Sequence, residues 1–275
     1  MTGISVRGVE YRVERFGSDG TPDILLIHGF TGRAESWEHL AQGLRSAGRR
    51  PLAVDLPGHG GTDVVEDLAR YTLPATARDF AAIIQILGGA PIDVLGYSMG
   101  GRVALQLALD YPRVVRRLVL ESASPGIVDA EARTARVRSD EDLARLLEAE
   151  GISAFVDRWE KVPLFASQDG LALAARERLR ATRLSHDPRG LARSLRGGGQ
   201  GVTPAVHDRL GELAMPVLVI VGECDERYQA IGARLSQSVR NVQTVIVPEA
   251  GHTVHLESPA RYASTVQRFL GGARP

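Results

Sequence analysis

The sequence predicts a three-layer α/β fold, a mostly parallel twisted sheet flanked by helices, with a helical lid inserted late in the chain. Three observations carry this. Short apolar runs alternate with helix-period stretches, the pattern of parallel strands joined by crossover helices. The alternation stops over residues 126–213, where only helical periodicity remains. A serine between glycines directly follows one apolar run and opens a helix pattern, as at a sharp strand-to-helix turn.

Taken in order, strands are expected at 11–16, 24–28, 51–55, 92–96, 117–121, 216–221 and 242–247. Phe80, Ile83, Ile84 and Leu87 fall on one helical face. Val103, Leu105, Leu107, Ala108 and Leu109 form a second helix before Tyr111-Pro112. The inserted stretch carries Leu143, Leu146 and Leu147, then Ile152, Phe155, Val156 and Trp159. Residues 1–125 and 214–275 therefore read as the core. Residues 126–213 read as a lid over the sheet's carboxyl edge, where ligands bind in open α/β sheets. The run Gly197-Gly198-Gly199-Gln200-Gly201 is expected to be a flexible loop closing that lid. It lacks the lysine and the preceding strand of a phosphate-cradling loop.

Bulk composition narrows the function classes. At 275 residues and 44% hydrophobic, the chain has ample length for a large core. Thirty-three basic residues balance 33 acidic ones, so nothing favours nucleic acid or an anionic membrane surface. Lys161 is the only lysine, and the arginine bias makes any single arginine weak evidence of function. One cysteine, Cys224, allows no intrachain disulfide and no cysteine metal cluster, and it reads as a small packed side chain. The N-terminus lacks the apolar stretch of a signal peptide, and the longest aliphatic runs, 24–27 and 217–221, are too short to span a bilayer. The expectation is a cytoplasmic monomer or small homo-oligomer without metal or organic cofactor.

The chemistry begins at Gly96-Tyr97-Ser98-Met99-Gly100. A serine hydroxyl needs a base, and the base needs an orienting acid. On this kind of sheet the acid and the base follow the serine in that order, on loops after late strands. Asp225 follows the strand at 216–221, and His252 follows the one at 242–247. Glu121, Glu223 and Glu226 compete with Asp225 as the acid, and His255 competes with His252 as the base. His28-Gly29-Phe30-Thr31-Gly32 follows the second strand. In this arrangement the backbone N–H groups of Phe30 and Met99 form an oxyanion hole. His28 and His59 read as structural braces.

With these residues in place the chain resembles the α/β-hydrolase superfamily over essentially its whole length. More selective segments are 28–32, 55–62 and 96–102, with Ser124-Pro125-Gly126-Ile127, 136–140, Trp159, 163–167, Arg183 and 195–203 in the lid. Through these it resembles the 2-succinyl-6-hydroxy-2,4-cyclohexadiene-1-carboxylate synthases of menaquinone biosynthesis. That resemblance implies a lyase which removes pyruvate from a 5-enolpyruvoyl precursor, a small polycarboxylate. It implies Ser98, Asp225 and His252 as a catalytic triad, with Tyr97 beside the serine. It further implies that Arg102, Arg136 and Arg183 bind substrate carboxylates and that Trp159 and Phe165 line the pocket. Arginine suits that task, because its planar fork meets a carboxylate bidentately. Arg133, Arg138 and Arg180 are close competitors. The chain departs from the family at 201–208, which lacks a common aromatic, and at 168–178, which is expanded. The same triad also suits a serine hydrolase of esters or C–C bonds. A binding module without catalysis is a third reading, opposed by the intact triad.

Overall fold

A computed structural model describes residues 2–17 and 20–272. Eight strands form one sheet: β1 Thr2–Val6, β2 Val9–Arg15, β3 Ile24–Ile27, β4 Pro51–Val54, β5 Ile92–Tyr97, β6 Val115–Glu121, β7 Val217–Gly222 and β8 Val242–Val247. Their spatial order is β1-β2-β4-β3-β5-β6-β7-β8, parallel from β4 to β8, with β1 and β2 antiparallel at one edge. β3, β4 and β7 are apolar and buried at every position, because helices cover both faces.

Alternate strand residues feed two cores. Leu25 and Ile27 pack with α2 (Leu73–Ile86), α3 (Met99–Asp110) and α7 (Glu226–Ser238) on one face. Ile24 and Leu26 pack with α1 (Glu38–Ser46), α8 (Val254–Glu257) and α9 (Pro259–Gly271) on the other. Among the described residues no helix is long and apolar enough to cross a membrane.

Between β6 and β7 the described residues are helical: α4 (Ala130–Trp159), a 3-10 stretch (Pro163–Gly170), α5 (Leu173–Leu184), α6 (Pro188–Gly198) and a 3-10 turn (His207–Glu212). Asp129 and Asp187 cap α4 and α6, and Pro188 presets the first turn of α6. Gly151, with φ of 81°, interrupts α4. This cover has its own small core, including Leu143, Leu147, Phe155, Val156, Leu191 and Leu195.

Three expectations are corrected. β1 lay outside the expected strands. Its buried positions, Ile4 and Val6, alternate with exposed ones, and a left-handed turn at Arg7 and Gly8 folds it onto β2. The glycine run is not a loop throughout. Gly197 and Gly198 end α6, and a Cβ on Gly198 would sit 2.7 Å from the Tyr71 carbonyl. The glycines are there for close backbone approach. Cys224 is exposed, because it lies in the turn between β7 and α7 rather than in the core.

Candidate active site

Ser98 sits where β5, in the middle of the sheet, turns into α3. Its φ of 50° is a left-handed conformation that costs a non-glycine residue energy. The turn is held by close backbone contacts: a Cβ on Gly100 would lie 2.3 Å from the carbonyls of both Ile27 and His28. Only glycine admits this approach, which lifts the serine hydroxyl clear of the sheet. The Ser98 N–H donates to the Glu121 carbonyl at 2.8 Å, fixing the turn to β6.

Asp225 caps α7 by accepting the Tyr228 N–H at 3.2 Å through Oδ1. Its other oxygen faces His252 Nδ1 at 2.7 Å. A carboxylate only accepts, so Nδ1 carries the proton and Nε2 presents its lone pair. Nε2 lies 3.1 Å from Ser98 Oγ. The structure thus brings Ser98, His252 and Asp225 together in one chain of hydrogen bonds. Glu257 straps the His252 loop, accepting the N–H groups of Gly251 at 2.6 Å and Thr253 at 2.9 Å. The Tyr228 ring packs 4.5 Å from the imidazole.

The competing acid and base pair with each other. His255 Nδ1 donates to the buried carboxylate of Glu121 at 2.8 Å, and the ring stacks on Trp37. Glu223 accepts the Glu249 N–H at 2.9 Å and stays on the surface.

Phe30, on the loop after β3, and Met99, next to Ser98, are the expected oxyanion donors. Met99 is the first residue of α3, so its N–H has no intrahelical acceptor. Among the described residues the Phe30 N–H has no acceptor either. The Phe30 loop is anchored by Asp55, which accepts the N–H groups of Ala34 at 2.6 Å and Gly61 at 2.8 Å. His28 braces it as a neutral ring: Nε2 accepts the Leu56 N–H at 3.0 Å and Nδ1 donates to the Gly29 carbonyl at 2.8 Å. Burial lowers its pKa, favouring that neutral form.

The three arginines divide between two ends. Arg102 donates to the Gly198 carbonyl at 3.0 Å and to Thr203 Oγ1 at 3.3 Å. Among the described residues no carboxylate lies within 4.0 Å of it. Burial brings its pKa down to about 10. Arg136, beside it, pairs with Asp140 at 2.8 Å. Two guanidiniums thus face one carboxylate, whose second oxygen is buried without a partner. Arg183 lies elsewhere, against Phe165, whose ring is 6.0 Å from that of His252. It pairs with Glu160 at 3.0 Å and donates to Gln168 at 2.9 Å, and burial lowers its pKa. Arg133 and Arg138 are exposed, and Arg180 binds Asp157 and Glu160 at 2.6 Å each.

Trp159 and Phe165 are 5.3 Å apart, and Phe30 is 5.4 Å from Trp159, so these rings form one aromatic cluster that meets His252 through Phe165. Tyr97, Phe165, Gln168, Arg183, Thr253 and His255 contribute to one cleft, whose lining includes neither Ser98 nor His252. Sequence reasoning did not single out Thr253 or Tyr228, which reach the site through folding rather than through any motif, and it took Gln168 only as the start of the expanded stretch.

A profile of the α/β hydrolase fold matches residues 22–259. A Bacillus subtilis (strain 168) protein, provisionally named as a 2-succinyl-6-hydroxy-2,4-cyclohexadiene-1-carboxylate synthase, is 40% identical, covering 96% of this chain and 95% of its own length. An Escherichia coli protein of that name is 30% identical over 93% of this chain and 96% of its own. The structure of MenH from S. aureus superposes with a TM-score of 0.89 at 30% identity, over 95% of this chain and 97% of that one. An esterase from Thermogutta terrifontis gives a TM-score of 0.85 at 28% identity, over 100% and 98%. The chain belongs to the α/β hydrolase fold family and, within it, to the family of the 2-succinyl-6-hydroxy-2,4-cyclohexadiene-1-carboxylate synthases.

Proposed function

We propose that this chain is a carbon–oxygen lyase of menaquinone biosynthesis. It eliminates pyruvate from 2-succinyl-5-enolpyruvoyl-6-hydroxy-3-cyclohexene-1-carboxylate, giving 2-succinyl-6-hydroxy-2,4-cyclohexadiene-1-carboxylate. The observation that carries the reading is the hydrogen-bonded Ser98–His252–Asp225 chain, with a buried guanidinium at Arg102 that bonds only neutral acceptors.

The succinyl ketone acidifies the ring proton at C2. His252, oriented by Asp225, draws the proton from Ser98, and the serine–histidine pair removes the C2 proton. The developing enolate oxygen lies against the Phe30 and Met99 N–H groups; one such donor is worth about 3 kcal/mol. The electrons collapse to C2=C3, the old C3=C4 pair moves to C4=C5, and the C5–O bond breaks. Pyruvate leaves as its enolate and takes up a proton. Arg102, Arg136 and Arg183 hold the carboxylates, Trp159, Phe165 and Tyr97 shape the pocket, and residues 126–213 act as the lid. The site of action is the cytoplasm.

The test follows pyruvate by coupled oxidation of NADH. The wild-type chain should release it from the enolpyruvoyl precursor, and Ser98→Ala should lose at least about 10³-fold. No release above buffer from the wild-type chain overturns the reading. A second reading, ester hydrolysis through an acyl-enzyme, is favoured by the likeness to the Thermogutta terrifontis esterase. Under that reading, mass spectrometry of the chain quenched during turnover finds an acyl group on Ser98; under the lyase reading it finds the unmodified mass.

A further inference from the structure

The residues that flank the serine–histidine pair in sequence are tied to each other, and from there to the cover. Tyr97 precedes Ser98, and Thr253 follows His252. Their hydroxyls are 3.0 Å apart. The Gln168 amide, on the 3-10 stretch of the cover, donates to Thr253 Oγ1 at 2.8 Å. Its carbonyl accepts from Arg183 at 2.9 Å, and Arg183 is held by Glu160 at 3.0 Å. The side chain of Gln168 is buried, so both bonds are made away from water, where a lost partner is not replaced cheaply. The direction of the two Gln168 bonds is fixed: Arg183 and the amide nitrogen can only donate, so Thr253 Oγ1 receives the amide.

We propose that Gln168 is a positioning residue. It transmits the docking of the cover and of Arg183 to the backbone on either side of the Ser98–His252 pair, so that the hydroxyl and the imidazole are aligned for proton transfer only with the cover seated. This rests on reading Ser98 and His252 as the reacting pair. Glu257 fixes the backbone of the His252 loop, and Gln168 supplies the remaining restraint on Thr253 through its side chain. Gln168 touches neither Ser98 nor His252 among the described contacts, so its effect on chemistry runs through Thr253 and Tyr97.

The test measures serine activation apart from substrate recognition, as the second-order rate of Ser98 labelling by a small fluorophosphonate. Two variants separate the two ends of the amide. Gln168→Leu removes both bonds. Gln168→Glu keeps an acceptor for Arg183 but loses the donor to Thr253. Both should label about fivefold more slowly, the scale of one hydrogen bond, with the melting temperature of Gln168→Glu close to wild type. In turnover both should lose kcat rather than gain KM. The Thr253 hydroxyl can turn to donate to the Gln168→Glu carboxylate, so labelling within 1.5-fold (roughly) of wild type in both variants overturns the proposal and leaves Gln168 as packing. Failure of wild-type Ser98 to label at all, with Ser98→Ala as control, strikes instead at the reacting pair itself.

Discussion

At the residue scale, Arg102 separates a structural role from a binding one. A guanidinium placed to stabilise the fold would bond a carboxylate; this one is buried with two neutral acceptors and faces Asp140 only at longer range. Desolvating a charge without a bonded counter-ion gives the free protein little net stability. Arg102→Met should therefore change urea stability by less than about 1 kcal/mol. A substrate carboxylate would lose its fork, so KM should rise about 30-fold, or about 2 kcal/mol, with kcat less affected. Steady-state kinetics beside a urea melt check both halves. Gly100 gives the opposite profile. Its missing side chain is what lets α3 meet the loop after β3, so Gly100→Ala should cost about 3 kcal/mol, seen as a lowered urea midpoint.

At the scale of elements, three buried imidazoles join the cover to the loops after β3 and β4. His186, between α5 and α6, accepts the Gly60 N–H at 3.2 Å and donates to the Thr31 carbonyl at 3.0 Å. His59 lies between His186 and His28, with ring centroids 5.4 and 5.2 Å away. Burial lowers the pKa of all three, that of His186 to about 4. The unfolded value is about 6.5, so below it the unfolded chain binds more protons than the folded one. Stability from this group is complete above about pH 6.5 and lost as pH falls toward 4. Between pH 7 and 5 His186 alone should account for a loss of about 2 kcal/mol. His186→Gln should shrink that loss by the same amount in urea melts at the two pH values. This joint was not legible in the sequence, where His28 and His59 read only as braces and His186 carried no motif. The strands β3, β4 and β7 were legible, because burial on both faces demands unbroken apolar runs. Ser98, Asp225 and His252 were legible because each sits at a local strand-to-loop signal. The bond from Gln168 to Thr253 was not, since it joins positions 85 residues apart. The arginines were legible only by resemblance, as composition hides any single one.

At the scale of the whole molecule, the cover and the sheet keep separate hydrophobic cores. Phe155 is fully buried in the cover's core, stacked on Trp159 at 5.6 Å. Phe155→Ala should cost about 3–5 kcal/mol, and the loss should be local. Amide hydrogen exchange should quicken across residues 130–198 and stay slow in β3, β5, β6 and β7. Equal acceleration in the sheet would mean that the two parts unfold as one. The separation is not complete: Leu164 of the cover packs against the sheet's core, and the Phe30 ring packs against both cores. Under the proposed chemistry the Phe30 amide serves the developing oxyanion, while its ring bridges the two cores. A bulky ligand that displaced the ring would then carry the amide with it, so that steric exclusion and electrostatic readiness meet in one residue.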